Sequence, residues 1–275
     1  MVEVVSQDVW AKNAARRYPM CGEAHVSVAC SNRGIPGEYV YCVAAATRYG
    51  GPEGCYYLKT KFFYFSDDND RINWHDKLLD NSGGFEVSRL GSINGDLLSA
   101  VREIDRTCDL RSISYDRFGG AVVADFISQN WKSTGGTKPE FVAWSSAFKD
   151  VDKLYGPIGS VLDAGRVWHS DNPILNEQMR STRWEMLGGL KNLVCFSGRH
   201  PSRGSLAEMC SLFPVVGVLA SMRALWPLVE ADAKKSAADA RVRAVINESS
   251  AKFAELAVAL RECAAKLGAM GRVGS

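Results

Sequence analysis

The stretch RSISYDRF, residues 111–118, decides the fold prediction. A short strand is predicted at residues 110–115, and it ends in Tyr115-Asp116 just before a helical pattern at residues 119–130. On its other side, Asn94-Gly95-Asp96 introduces apolar residues that recur at three- and four-residue intervals as far as Cys108, which predicts another helix. A strand between two helices indicates an α/β fold.

The flanking segments extend this alternation. Residues 24–30 and 39–47 are short apolar runs joined by a Gly/Pro turn, which predicts a β-hairpin, and residues 56–65 form a third strand rich in aromatics. A polar loop is predicted at residues 66–84. Further strands and helices follow at residues 141–144, 150–164 and 167–168, with a kink or break at Gly156-Pro157. Together they predict an α/β mixed sheet with an antiparallel edge, flanked by helices.

The composition changes after Pro227. Residues 230–267 contain no Gly or Pro and are dominated by Ala, Lys, Arg and Glu, which predicts a long C-terminal helix. Apolar residues recur there in alternating four- and three-residue steps, a heptad pattern over residues 242–267. The neighbouring positions are often Ala or Ser, so packing on its own domain and self-association both stay open. We divide the chain into a domain at 1–226 and a helical extension at 227–275.

Bulk composition excludes several classes of protein. With 46% hydrophobic and 23% charged residues and a net charge of +2, the chain resembles an ordinary globular protein. Its eight cysteines include no C-x-x-C pair, which argues against a zinc ribbon or a disulfide scaffold and suits a reducing compartment. Neither a signal peptide nor an apolar run of ~18 residues is visible, so we expect a soluble intracellular protein without a membrane segment. No P-loop motif is present, so we expect no ATPase activity.

Asp116 is the acidic residue that stands out. A carboxylate at the carboxyl end of a sheet strand is well placed to hold a divalent cation. Alternatively, it is the N-cap of the following helix. The four histidines lack ligand spacing and are interpreted as structural, His169 included. The aromatic strand that carries Lys59 and Lys61 could stack nucleic-acid bases, although a core strand explains it more simply.

Several motifs share an order and spacing with a known family. They are WAKNA at residues 10–14, HVSVACS at 25–31, the aromatic strand at 56–65, ISYDRF at 113–118, AFKD at 147–150, VLDAGRVWHSDNPIL at 161–175, SRGSL at 202–206 and a closing helix at 215–222. From residue 10 to about residue 222 the chain resembles the nuclease domain of the large terminase subunits of tailed phages. The resemblance implies an RNase H-like mixed sheet.

The resemblance also implies a chemistry, two-metal hydrolysis of DNA with Mg²⁺ or Mn²⁺ held by three acidic residues. Carried over by residue, Asp116 matches one acid, whereas Ala29 and Ala207 stand at or beside the other two. Glu38 and Glu208 are the candidate substitutes. The implied catalytic residues are therefore Asp116, Glu38 and Glu208, with Asp116 as the metal ligand, in a degenerate endodeoxyribonuclease site.

The implied function is viral DNA packaging by a pseudoenzyme that binds double-stranded DNA, a portal or a capsid protein. Family members carry an ATPase domain ahead of the nuclease domain, so we expect a separate ATPase subunit unless the chain is a fragment. The expected location is the host cytoplasm or the virion. The alternative is a viral structural or assembly protein that oligomerises through its C-terminal helix.

Overall fold

The computed structural model describes residues 2–14, 20–31, 37–50, 54–66, 85–88, 93–117, 119–131, 138–145, 148–195 and 215–270. The chain divides into two compact units, Met1–Glu230 and Ala231–Ser275. The division predicted after residue 226 falls just before this point, inside the last helix. The assignment of the first part as a nuclease-like domain stays a prediction at this stage.

The first unit alternates strands and helices along most of its length. The strands are β1 Val2–Glu3, β2 Glu23–Ser31, β3 Glu38–Tyr49, β4 Cys55–Ser66, β5 Phe85–Ser88, β6 Asp109–Asp116, β7 Glu140–Trp144, β8 Val167–His169, β9 Thr182–Leu187 and β10 Leu190–Cys195. The helices are α1 Gln7–Lys12, α2 Ile93–Asp105, α3 Ala121–Gln129, α4 Phe148–Asp163, α5 Pro173–Ser181 and α6 Val216–Met270, of which α6 continues into the second unit.

A seven-stranded mixed sheet forms the centre of this unit. Its order is β5-β4-β3-β2-β6-β7, with β8 pairing to β4. Strands β2, β3 and β4 are antiparallel, whereas β6 runs parallel to β2 and β7 parallel to β6. The carboxyl ends of β2, β6 and β7 therefore meet at one edge of the sheet. The predicted α/β mixed sheet with flanking helices and a long C-terminal helix is confirmed.

Both faces of the sheet are buried, because side chains alternate between two cores. In β4, Tyr56, Leu58, Phe62 and Tyr64 belong to the core that includes α4, α5 and the start of α6, whereas Tyr57 and Phe63 belong to the core that includes α2 and α3. Burial of each such side chain contributes about 1.5–3 kcal/mol. The aromatic strand is therefore a core strand, and its rings are not available for stacking on bases.

A second, three-stranded sheet, β1-β9-β10, was missed by the sequence prediction. Its hairpin turns at Gly188 and Gly189, whose φ angles of +57° and +82° are those of a two-residue turn that favours glycine. The available signal was the Gly-Gly pair between the runs TRWEML and LKNLVC.

Two helices contain a proline in their interior and continue past it. Helix α4 continues through Pro157, where a kink or break was predicted, and α6 continues through Pro227. The predicted closing helix and the predicted C-terminal helix are therefore one helix. The predicted loop at 66–84 lies almost wholly outside the described residues. Across the described part of the chain, no helix has both the length and the hydropathy that crossing a bilayer requires.

Candidate functional site

Asp116 lies at the carboxyl end of β6, between two parallel neighbours. The last registered pair between β2 and β6 joins Val28 to Tyr115, so Ala29 and Asp116 follow side by side. On the other side Asp116 pairs with Trp144 at the end of β7. Asp116 is 6% exposed. A buried carboxylate is therefore held where three strand ends meet.

A cavity of about 260 Å³ opens at this edge. Its walls come from the end of β2, the ends of β6 and β7, helix α4, strand β10 and the start of α6. The lining residues are Ala29, Cys30, Ser31, Asp116, Trp144, Val151, Asn192, Leu193, Val215, Val216 and Leu219. Among these described residues the polar side-chain groups are one carboxylate, one thiol, one hydroxyl, one amide and the indole N–H of Trp144, set among apolar walls.

The turn after Asp116 explains why the carboxylate stays at the strand end. The Gly120 N–H donates to the Asp116 carbonyl (2.8 Å). Gly120 is also the N-cap residue of α3, where no side chain makes a capping hydrogen bond. A Cβ at Gly120 would lie 2.8 Å from that carbonyl oxygen, and one at Gly119 would lie 2.5 Å from the Cys30 Cβ. Only glycine fits both positions without displacement. Because Gly120 occupies the N-cap position of α3, the alternative prediction that Asp116 is the N-cap of this helix is wrong.

The thiol of Cys30 is held in its protonated form. Burial raises the pKa of Cys30 to about 12, and the charge of Asp116 raises it further, against a hydrogen bond from Tyr41 that lowers it. A thiol is a strong metal ligand only as a thiolate. Without a bound metal ion, Cys30 is therefore a neutral thiol at neutral pH.

The predicted site residues are only partly brought together. Ala29 and Asp116 are adjacent and line the same cavity. The backbone of Glu38 begins β3 opposite Ser66, at the same sheet edge, but its side chain is not among those described. Ala207 and Glu208 lie outside the described residues. The assignment of Asp116, Glu38 and Glu208 as catalytic stays a prediction.

The described residues do not fit a pair of divalent ions. Two closely spaced ions require several carboxylate oxygens to offset their mutual repulsion. Within the described ranges, no group of three or more His, Cys, Asp or Glu side chains could hold a metal ion. Among the described residues that line the cavity, Asp116 supplies the one carboxylate.

Sequence reasoning missed one basic residue near this cavity. The guanidinium of Arg223, on α6, lies 5.3 Å from the centre of the Trp144 ring. Burial lowers the pKa of Arg223, and the charge of Asp150 opposes that shift. Cation and ring contacts of this kind stabilise a half-buried arginine. The sequence signal was weak, because one arginine in an apolar helix is also typical of a surface position.

His169 and Trp10 form a clasp between the chain start and β8. Their rings stack at 3.9 Å, the His169 Nε2 donates to the Trp10 carbonyl (2.9 Å), and the His169 Nδ1 accepts from the Asp171 N–H (3.3 Å). The Trp10 Nε1 donates to Asn176 Oδ1 (2.9 Å). Both ring nitrogens of His169 are thus engaged, which confirms that this histidine is structural.

Asn172, Pro173 and His25, which belong to the motifs named above, also have structural roles. Asn172 is the N-cap of α5 and accepts from the N–H groups of Ile174 and Leu175, with Pro173 at the first helical position. His25 is buried, with its Nδ1 2.7 Å from Ser112 Oγ at the opposite sheet edge. His75 and His200 lie outside the described residues.

Comparison with solved structures shows the fold. The structure of the HK97 bacteriophage large terminase matches 81% of this chain with a TM-score of 0.57 and 15% sequence identity. This chain spans 43% of the length of that protein. At such identity the likeness shows the fold alone, and the predicted resemblance to the RNase H-like nuclease fold of large terminases is confirmed at that level.

Two structures of the large terminase nuclease from thermophilic phage G20c are also similar. The first covers 78% of this chain and all of that one, at 12% identity and a TM-score of 0.39; the second, with bound magnesium, covers 77% and 95%, at 13% identity and 0.37. No protein-family model and no curated protein matches the sequence.

Proposed function

We propose that this chain is a terminase-nuclease-like protein of viral DNA packaging whose cutting activity is weakened or absent. It would act by binding double-stranded DNA or by binding packaging partners such as a separate ATPase subunit, the portal or the capsid protein. Its place of action would be the host cytoplasm or the virion. The observation that carries the proposal is the cavity at the strand ends, which holds Asp116 beside Ala29.

The proposal has two parts, a role in packaging and a weakened cleavage activity. The fold supports the first part and the lining of the cavity supports the second. The shared fold with the HK97 large terminase supports a packaging role. The apolar Ala29 next to the single carboxylate supports weakened cleavage, because one carboxylate does not hold two divalent ions. Any residual endodeoxyribonuclease activity would depend on Asp116 together with Glu38 and Glu208, and on Mg²⁺ or Mn²⁺.

A plasmid cleavage assay with Mg²⁺ and with Mn²⁺ tests the catalytic half. Asp116→Asn is compared with Asp125→Asn, a matched change at an exposed position of α3. We expect little or no cleavage by the unmodified chain. Efficient metal-dependent cleavage that disappears in Asp116→Asn and survives in Asp125→Asn would show an active nuclease and refute the weakened site.

DNA binding is tested by fluorescence anisotropy over a series of salt concentrations. Arg117 is exposed directly after Asp116, whereas Arg111 lies towards the other end of β6 and is paired with Asp109 at 2.7 Å. If DNA approaches the cavity edge, Arg117→Ala reduces the slope of log K against log salt by about 0.9 for one lost phosphate contact. Arg111→Ala serves as the control and leaves the slope unchanged.

The second candidate is a viral assembly protein that oligomerises through its C-terminal helix. The apolar side chains exposed on α6 favour it. Absence of salt-dependent DNA binding would shift the conclusion from the first candidate to this one.

A further inference from the structure

The second unit carries an apolar stripe along α6. Within this part of the helix, six large apolar side chains are between 56% and 72% exposed. Val245 lies beside the stripe, and the other five form it: Val242, Ile246, Phe253, Leu256 and Leu260. With Ser249 they follow alternating four- and three-residue steps, so they lie on one face of the helix. We refer to these six residues as the apolar stripe. A single helix cannot bury its own stripe, so another surface must cover it.

We propose that the apolar stripe pairs with the same stripe of a second copy of this chain, in antiparallel orientation, with Phe253 packed on Ser249 of the second copy. The proposal deepens the assembly role given above as the second candidate by naming the partner and the register. It does not depend on DNA binding or on cleavage, which concern residues of the first unit.

The distribution of large and small residues favours the antiparallel register. In heptad terms Ile246, Phe253 and Leu260 occupy position a, and Val242, Ser249 and Leu256 occupy position d. A parallel pair would stack Phe253 on Phe253 and leave Ser249 facing Ser249, an overfilled layer beside an underfilled one. Close-packed interiors disfavour both.

The antiparallel pair corrects this mismatch without any substitution. When the twofold axis passes beside residue 251, midway between Ser249 and Phe253, each a residue faces a d residue of the second copy. Phe253 then faces Ser249. Leu256 faces Ile246, and Leu260 faces Val242, so all six residues of the stripe find a partner within the stripe. Opposed helix dipoles also favour this orientation.

The flanks of the stripe do not select a differently charged partner. Three of the six positions beside it are the small residues Ser250, Ala257 and Ala259, where coiled coils that choose a partner by charge carry Glu or Lys. The one charged flank in the middle, Lys252, is paired with Glu248 of its own helix at 2.7 Å. Small flanks let two helices approach closely, which suits a second copy of the same helix.

The length of the stripe sets the strength of the pairing. From residue 242 to 260 it extends about 27 Å at 1.5 Å per residue. The heptad pattern of the sequence continues to residue 267, but the proposed register pairs apolar residues only over this span of fewer than three heptads. We therefore expect a reversible, concentration-dependent dimer, and the experiment must follow mass against concentration.

Sedimentation equilibrium of the full chain, over a wide range of concentration, tests the pairing. Two charge-reversed variants test its register: Ile246→Lys and Leu256→Glu. Each change places a charge in an apolar layer twice per dimer, so each variant alone is monomeric. Mixed together, they re-associate, because the antiparallel register brings the introduced lysine against the introduced glutamate and keeps one Leu–Ile layer intact.

The matched control is a mixture of Ile246→Lys with Leu260→Glu, in which the proposed register pairs neither charge with its opposite. Circular dichroism of every variant confirms that the helix is retained. Dimers that dissociate in each variant and return only in the first mixture support the proposal. It is overturned by a monomeric unmodified chain, which would mean that the stripe packs on its own chain or on another protein. The proposal is also overturned if the single variants still form dimers, or if both mixtures recover the dimer to the same extent.

Discussion

Replacing His169 with phenylalanine tests whether the clasp with Trp10 stabilises the fold. Phenylalanine keeps a ring against the Trp10 indole at the 3.9 Å stacking position, in a site that is 1% exposed. It removes the donation from Nε2 to the Trp10 carbonyl and the acceptance by Nδ1 of the Asp171 N–H. At about 1 kcal/mol for each hydrogen bond, we expect the free energy of unfolding to fall by about 2 kcal/mol.

The same variant carries a pH signature. Burial lowers the pKa of His169 below its ordinary 6.5. Between the lowered folded pKa and 6.5 the unfolded chain binds more protons than the folded one, so the contribution of this group to stability is complete above pH 6.5 and is lost as the pH falls below it. His169→Phe removes that part of the acid sensitivity, whereas His25, whose pKa burial also lowers, keeps its own part.

Urea denaturation above and below pH 6.5, on the unmodified chain and on His169→Phe, provides both measurements. The gap in unfolding free energy between the two proteins should be largest above pH 6.5 and should narrow in acid. Trp10→Phe is the companion variant, because it keeps a ring against His169 and removes the Nε1 donation to Asn176, together with part of the buried ring volume. An unchanged stability at neutral pH, or a gap that widens in acid, would refute the structural role assigned to His169.

Three further outcomes follow from the geometry. Gly119→Ala should lower the free energy of unfolding by about 1–3 kcal/mol, because the added Cβ would lie 2.5 Å from the Cys30 Cβ. Gly95→Ala is the control: it lies in α2 with nothing within 4 Å of the added Cβ, so the free energy of unfolding should stay the same or rise by up to about 1 kcal/mol. Thermal denaturation measures both. Cys30, with its pKa raised to about 12, should react with iodoacetamide far more slowly at neutral pH than the exposed Cys21, as peptide mapping by mass spectrometry would show; equal rates would contradict the burial of Cys30. Gly189→Ala should destabilise the β9–β10 hairpin by about 1 kcal/mol, since its φ of +82° disfavours a Cβ. Gly156→Ala, with open space around the added Cβ, is the control, and the melting temperatures of the two variants are compared.

The central sheet could be predicted from the sequence because its signals are local. The hairpin of β2 and β3, the aromatic β4 and the strand that ends at Asp116 each carry their own pattern of apolar residues and turns. The second sheet could not be predicted in the same way. Its first strand is only Val2–Glu3, and its pairing with β9 joins residues from opposite parts of the chain. Such pairing is decided by tertiary contacts.

The candidate site shows the same division. The position of Asp116 at a strand end followed from the pattern of RSISYDRF, and its proximity to Ala29 followed from the resemblance. The identity of the helix cap did not, because Gly120 has the cap position without a side-chain signal. The contact of Arg223 with Trp144 joins α6 to β7, and neither segment has a sequence pattern that predicts it. The continuity of α6 through Pro227 also departs from the local rule that proline interrupts a helix.

The walls of the strand-end cavity come from β2, β6, β7, α4, β10 and α6, so the cavity exists only when the whole unit is assembled. A molecule that occupies it would bind the folded chain and not the unfolded one. Occupancy at a hundredfold excess over Kd would add about 2.7 kcal/mol to the stability of the unit. Melting temperature alone can therefore rank nucleotides, divalent cations and peptides as occupants, before any assay of activity is available.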